Sequence, residues 1–150
     1  MTSRKLVKTV AFPARSKPHM LRVSPDGREV WVQTVAANTN VVLSADDLSV
    51  LSTKPTGKAP VTNAWTPDRR YSIITNTEDM VAHIVDARTF KELKRLTIGL
   101  GGSNIGFTKD GKTAFIAVRG TNSVAVIDVE KFAVVGHIKA GQEPQGLIVR

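Results

Sequence analysis

The sequence predicts an all-β fold made of stacked, four-stranded sheets, and three observations carry that prediction. A turn motif recurs every 42 residues without a gap, as Ser24-Pro25-Asp26-Gly27, Thr66-Pro67-Asp68-Arg69 and Thr108-Lys109-Asp110-Gly111. Gly57, Gly99 and Gly141 fall at the same interval, and so do the apolar pairs Leu43/Leu48, Val85/Phe90 and Ile127/Phe132. Turn signals arrive about every 8 to 12 residues, and no segment has helical periodicity. A period of roughly 20 to 50 residues marks stacked units, each of which needs its neighbour to bury an apolar face.

Within one period the order is inner strand, tight turn, strand, short loop, strand, turn, outer strand. In the first full unit, residues 20–24 predict a short inner strand. Pro25-Asp26-Gly27 then turns the chain: proline presets φ, aspartate bonds its own downstream backbone, and glycine tolerates positive φ. Residues 29–35 are rich in β-branched Val30, Val32 and Val35 set among polar neighbours, a strand signature. Residues 36–39 form a loop, 41–44 a third strand, and Asp46-Asp47 a turn into 48–53. The second unit repeats the order as 62–66, 71–77, 81–85 and 90–98, and the third as 104–108, 113–119, 123–127 and 132–140. Arg69 stands where the other two turns have glycine, so the second turn is expected to be of a different type.

Four short antiparallel strands repeated at about 40 to 45 residues describe a β-propeller blade. Residues 4–15 match the outer strand of a preceding blade, with Leu6 and Pro13 one period before Leu48 and Pro55. Residues 142–150, with Pro144 and Leu147, match the inner strand of a following one. The expected content is one outer strand, three whole blades (16–57, 58–99 and 100–141) and one inner strand. Propellers close with about four to eight blades. The expectation is therefore a partial propeller, either a piece of a longer ring or a protomer completed by another chain.

Composition narrows the chemistry. The 150 residues contain no cysteine, which excludes disulfides, thiolate metal sites and a cysteine nucleophile. No apolar run approaches the roughly 18 residues of a membrane helix, and Lys8 interrupts the only stretch resembling a signal-peptide core. The net charge of +8 is concentrated at the start: Arg4, Lys5, Lys8, Arg15, Lys17, Arg22 and Arg28 stand against Asp26 alone. These cations lack aromatic interleaving, so they read as solvated positions and not as a nucleic-acid surface.

The repeat resembles the YVTN-type β-propeller repeat, in which an inner strand leads into Ser-Pro-Asp-Gly, a valine-rich strand, an Asn/Gly loop and Val-Ile-Asp. The matching residues are 19–27, 114–118, 122–128 and 134–141; the third unit is the closest copy, and the first has Ser44 in place of the aspartate. The resemblance implies a binding or interaction module without chemistry of its own, bacterial in type and periplasmic or at the cell surface. Its partner would be a small molecule or a protein. The family also includes lactonase-like enzymes and the d-haem domain of nitrite reductases, so a hydrolase or a haem-bearing redox domain is the alternative.

Inner strands line a propeller's channel, and their starts form one rim. Equivalent residues at that rim are His19, Val61, Ser103 and Gln145, and three positions on, Arg22, Ala64, Gly106 and Ile148. A charge where the other copies are small or apolar needs a partner or a ligand, so His19 and Arg22 are the ligand-binding candidates. In d-haem relatives a His-x-x-Arg-x-Ser run precedes the first turn, and His19, Arg22 and Ser24 repeat that spacing. By resemblance this would supply an axial imidazole and a partner for a haem carboxylate, against the expectation of no cofactor. His83 and His137 lie inside strands with no carboxylate or second histidine at ligand spacing, and read as structural. Glu78 and Asp79 offer too few oxygens for a calcium site. Asp86 and Asp128 begin turns and are expected to cap backbone amides. Trp31 and Trp65 are expected to pack between blades. No Gly-x-Ser-x-Gly elbow is present, and the glycines of residues 99–102 lead to a strand, not to an anion-binding helix. No catalytic or metal-ligating residue is assigned.

Overall fold

The computed structural model describes residues 5–150; Arg4, the first residue of the expected leading strand, lies outside them. Twelve strands form three antiparallel sheets in simple sequence order. Blade one holds β1 (Pro18–Val23), β2 (Glu29–Thr34), β3 (Thr39–Ser44) and β4 (Val50–Pro55); blade two holds β5 (Pro60–Trp65), β6 (Tyr71–Asn76), β7 (Val81–Asp86) and β8 (Glu92–Thr97). Blade three holds β9 (Gly102–Phe107), β10 (Thr113–Val118), β11 (Ser123–Asp128) and β12 (Ala133–Lys139), with one 3₁₀ turn at Arg119–Thr121. These are three blades of an open β-propeller arc. Among the described residues no helix is long and apolar enough to cross a membrane.

The period survives in detail. Pro18, Pro60 and Gly102 begin the inner strands, and each outer strand carries a bulge at the same place, opposite Val42/Leu43, Ile84/Val85 and Val126/Ile127. Bulges sharpen the local twist, which lets the sheets fan about an axis. The outer strands β4 and β8 start two residues later than the apolar pattern suggests. Leu48, Phe90 and Phe132 have φ of 61°, 59° and 49°, so each ends a turn in the left-handed region before its ladder begins.

The recurring turn is built by one set of bonds. The hydroxyls of Ser24, Thr66 and Thr108 each donate to Oδ1 of the aspartate two residues on, at 2.6 Å. That carboxylate accepts the backbone N–H of Arg28, Arg70 or Lys112, and the hydroxyl accepts that of Glu29, Tyr71 or Thr113. Arg69 corrects the expectation from sequence. Its φ of 61° stands beside 75° at Gly27 and 72° at Gly111, so the second turn is of the same type. A left-handed non-glycine residue costs about 1–2 kcal/mol, and the bonded turn around Arg69 holds it there. Asp86 accepts the N–H of Arg88 and Thr89, and Asp128 that of Lys131, the capping task expected of both.

Burial follows the seams between blades. Ile73, Ala82, Ile84, Leu96, Ile105, Ala114, Ile116, Ala125 and Ile127 form the largest core, between blades two and three. A smaller cluster of Trp31, Val42, Ile74 and Val85 joins blades one and two. Residues 5–13 enter no ladder; Val10 and Phe12 lie on the free face of blade one against Val30, Val32, Val41 and Leu43. Residues 142–150 also form no strand, although the carbonyl of Gln145 accepts the N–H of Asn104. Neither segment has a neighbouring sheet to pair with among the described residues.

Candidate functional site

The same repeat makes two seams of opposite character. Between blades two and three, Ile73, Ala82, Ile84 and Leu96 meet Ile105, Ala114, Ile116, Ala125 and Ile127, all apolar and all buried. Shifted back by one period, those positions are Trp31, Asn40, Val42 and Lys54 against Asn63, Ser72, Ile74, His83 and Val85. Five of the nine become polar or charged on one scaffold. Burying polar groups costs free energy unless each finds a partner. The first seam is therefore built at the expense of stability.

From the channel outward, it begins with Arg22 on β1, whose Nε donates to Thr62 Oγ1 of β5 at 3.2 Å. Next, fully buried Gln33 donates its Nε2 to Asn40 Oδ1 at 3.0 Å and to Asn63 Oδ1 at 3.1 Å, and Asn63 Nδ2 donates to Ser72 Oγ at 3.1 Å. Trp31 packs edge-on to Trp65 and Phe90 at centroid distances of 5.3 and 5.7 Å, so both tryptophans do pack between blades. Further out, His83 is 1% exposed, and its Nδ1 lies 2.7 Å from Glu92 Oε2 on the neighbouring outer strand. Glu92 Oε1 also accepts from Arg95 Nε at 2.8 Å. Burial pushes the Glu92 carboxyl up, but the bonds from Arg95 and His83 outweigh it and hold the group below its ordinary range. With Nδ1–H directed at Glu92, the other ring nitrogen, Nε2, is buried with no protein partner, as is Gln33 Oε1 in the same seam.

The outer end of this seam is open. A cleft of about 580 Å³ lies there, over Asn40, Ile74, His83, Val85 and Phe90 and rimmed by Lys54, Lys91 and Arg95. The other seam is shut at the equivalent place, where His137 Nε2 bonds to Ile98 O at 3.0 Å and β12 touches β8. One period back, His137 and Ile98 become Arg95 and Thr56, both lining the cleft. Arg95 turns to Glu92 and leaves the gap unfilled.

The rim candidates from the sequence are placed differently. His19 and Arg22 both lie on exposed β1, where a bulge between Pro18 and Leu21 interrupts the ladder, and no hydrogen bond joins them. Arg22 has a protein partner in Thr62, and Ser24 is committed to its turn through Asp26 and Glu29. Arg22 and Ser24 of the haem-like run are thus drawn to separate tasks. Asp79 holds the backbone N–H of Lys58 and Met80. Spacing alone missed the His83–Glu92 pair because the partner comes across a hairpin. The signal was present in the repeat: the equivalent pairs are Val41/Val50 and Ala125/Val134.

No family model matches the chain, and no curated protein does. Solved structures do. Hydrazine synthase from Kuenenia stuttgartiensis is similar at a TM-score of 0.83 and 24% identity, over 94% of this chain and 41% of that one. A 6-phosphogluconolactonase-like protein from Bacteroides fragilis is similar at 0.74 and 17%, over 85% and 40%. Dihydro-heme d1 dehydrogenase NirN, in complex with DHE, is similar at 0.69 and 17%, over 79% and 27%. At such identities the likeness is one of fold. The chain spans less than half the length of each of these neighbours.

Proposed function

We propose that this chain is a YVTN-like β-propeller module that works by binding, without chemistry of its own, and that the seam between its first two blades is the ligand seat. The single observation that carries this reading is the contrast between seams: at equivalent positions one is filled by isoleucine, alanine and leucine, while the other holds a Gln33–Asn63–Ser72 network, an unpartnered His83 Nε2 and a cleft of about 580 Å³. Ligand sites are concave, mostly apolar and equipped with a few fixed polar groups, at volumes of about 300–1,000 Å³. Stacked blades hold such a site rigid, so little ordering is lost on binding. Arg22 closes the inner end of the same seam, and with His19 would meet a ligand arriving from the channel. The YVTN relationship rests on the turn motif and the Val-Ile-Asp stretch, and an exported location follows from that relationship.

The test restores the apolar repeat. The double variant His83→Val/Glu92→Val gives the pair the side chains of Val41/Val50. His83 is buried with one ring nitrogen unpartnered, while Glu92 is exposed, so exchanging the two for apolar residues removes a desolvated polar ring and should cost little stability. The expected outcome is a melting temperature no lower than the parent's, with loss of the chemical-shift response of Thr56 and Phe90 to small organic compounds screened against the parent. A double variant that is markedly destabilised makes the pair structural, and overturns the reading.

A further inference from the structure

We propose that the cleft between the first two blades takes a small organic anion, a carboxylate or phosphate monoester carried on an apolar body; this rests on the seam being a ligand seat. Lys54, Lys91 and Arg95 rim it from two blades. Their equivalents are Leu96 and Ile138, Ser49 and Ala133, and Thr53 and His137, so no other copy of the repeat places a Lys or Arg at these positions. Glu92 is the single carboxylate of the lining, and it is already bonded to Arg95 and His83. Lys54 and Lys91 form no ion pair among the described residues. Two unpaired ammonium groups facing one cavity repel each other and any cation, and offer an anion charge-assisted hydrogen bonds. The wall of Ile74, Val85 and Phe90 gains nothing from a bare inorganic ion, because only an apolar body removes that surface from water. Charge at one end and a ring-sized apolar face at the other therefore select the ligand.

The experiment titrates the full chain with phenyl phosphate and benzoate, and in parallel with phenol and inorganic phosphate. Amide shifts of Thr56 and Phe90 and the imidazole of His83 are followed by NMR. Expected is saturable binding of at least one organic anion, with phenol and inorganic phosphate about tenfold weaker or more. Lys54→Gln/Lys91→Gln should weaken the anion about tenfold, on the scale of two partly exposed charge contacts. Lys109→Gln, in blade three, should leave it unchanged, and an unaltered amide spectrum shows that each variant is folded. If phenol binds as well as phenyl phosphate, or the double variant binds undiminished, the anion inference is overturned and the ligand seat stands. If no compound of any charge moves these signals, both fall.

Discussion

Gly27 and Gly111 occupy the same left-handed turn position in blades one and three, with φ of 75° and 72°, but not the same surroundings. A Cβ added at Gly27 would meet nothing within 4 Å, whereas one at Gly111 would lie 2.9 Å from Pro67 Cδ of the neighbouring blade's turn. Gly27→Ala should therefore cost only the backbone term, about 1 kcal/mol, and Gly111→Ala distinctly more. Equal shifts in urea midpoint would show that Pro67 yields freely. Arg69 illustrates how a residue's conformation escapes sequence reasoning. Its identity argues against positive φ, yet the bonds among Thr66, Asp68, Arg70 and Tyr71 set the turn irrespective of it. His83 escapes for a different reason. Its partner Glu92 is nine positions away, a spacing without meaning until the hairpin brings the strands together.

Each blade's first turn stores stability in a carboxylate, and this makes the strands it joins sensitive to acid. The hydroxyl of Thr66 is the main cause that holds Asp68 at about 2, below its ordinary 3.8, helped by the Arg70 backbone N–H against the opposing effect of burial. Asp26 and Asp110 are lowered first by Ser24 and Thr108 in the same way. Because the folded pKa is depressed, the contribution is complete above the unfolded value of about 4. It is lost as pH falls toward 2. A urea midpoint that drops between pH 5 and pH 2 is expected, with a smaller drop for Thr66→Val, which removes the leading cause. An identical pH dependence in that variant would count against the turn as its origin. These elements were legible beforehand because turn residues and strand alternation act locally. Strand starts moved by about two residues where Leu48 and Phe90 take left-handed φ inside their turns, a choice made by the hairpin as a whole.

Across the whole chain, stability should be graded, because each sheet leans only on its neighbours. Blades two and three share the larger apolar core, with one buried bond from Thr75 to Ser103 across it, while blade one is held by four buried apolar residues and a polar network. Hydrogen exchange should accordingly be slowest in β6, β7, β10 and β11. Central amides of β3 are expected to exchange about tenfold faster or more, a difference of about 1.4 kcal/mol in local opening. Uniform protection across all three sheets would mean that the polar seam is as cohesive as the apolar one. The same weakness keeps the outer end of the first seam open, where Arg95 binds Glu92 in place of the closing contact made by His137.

Period, turn chemistry and alternation by themselves determined the repeat, the four-stranded unit and the propeller arc, since each depends on residues close in the chain or on exact recurrence. Which faces meet was a matter for the tertiary structure alone. Only stacking places Gln33 against Asn63, sets His83 beside a cleft rimmed by Lys54 from another blade, and sends Arg22 to Thr62. Side chains on separate sheets share no sequence spacing, and their energies exist only once water has been driven from between them.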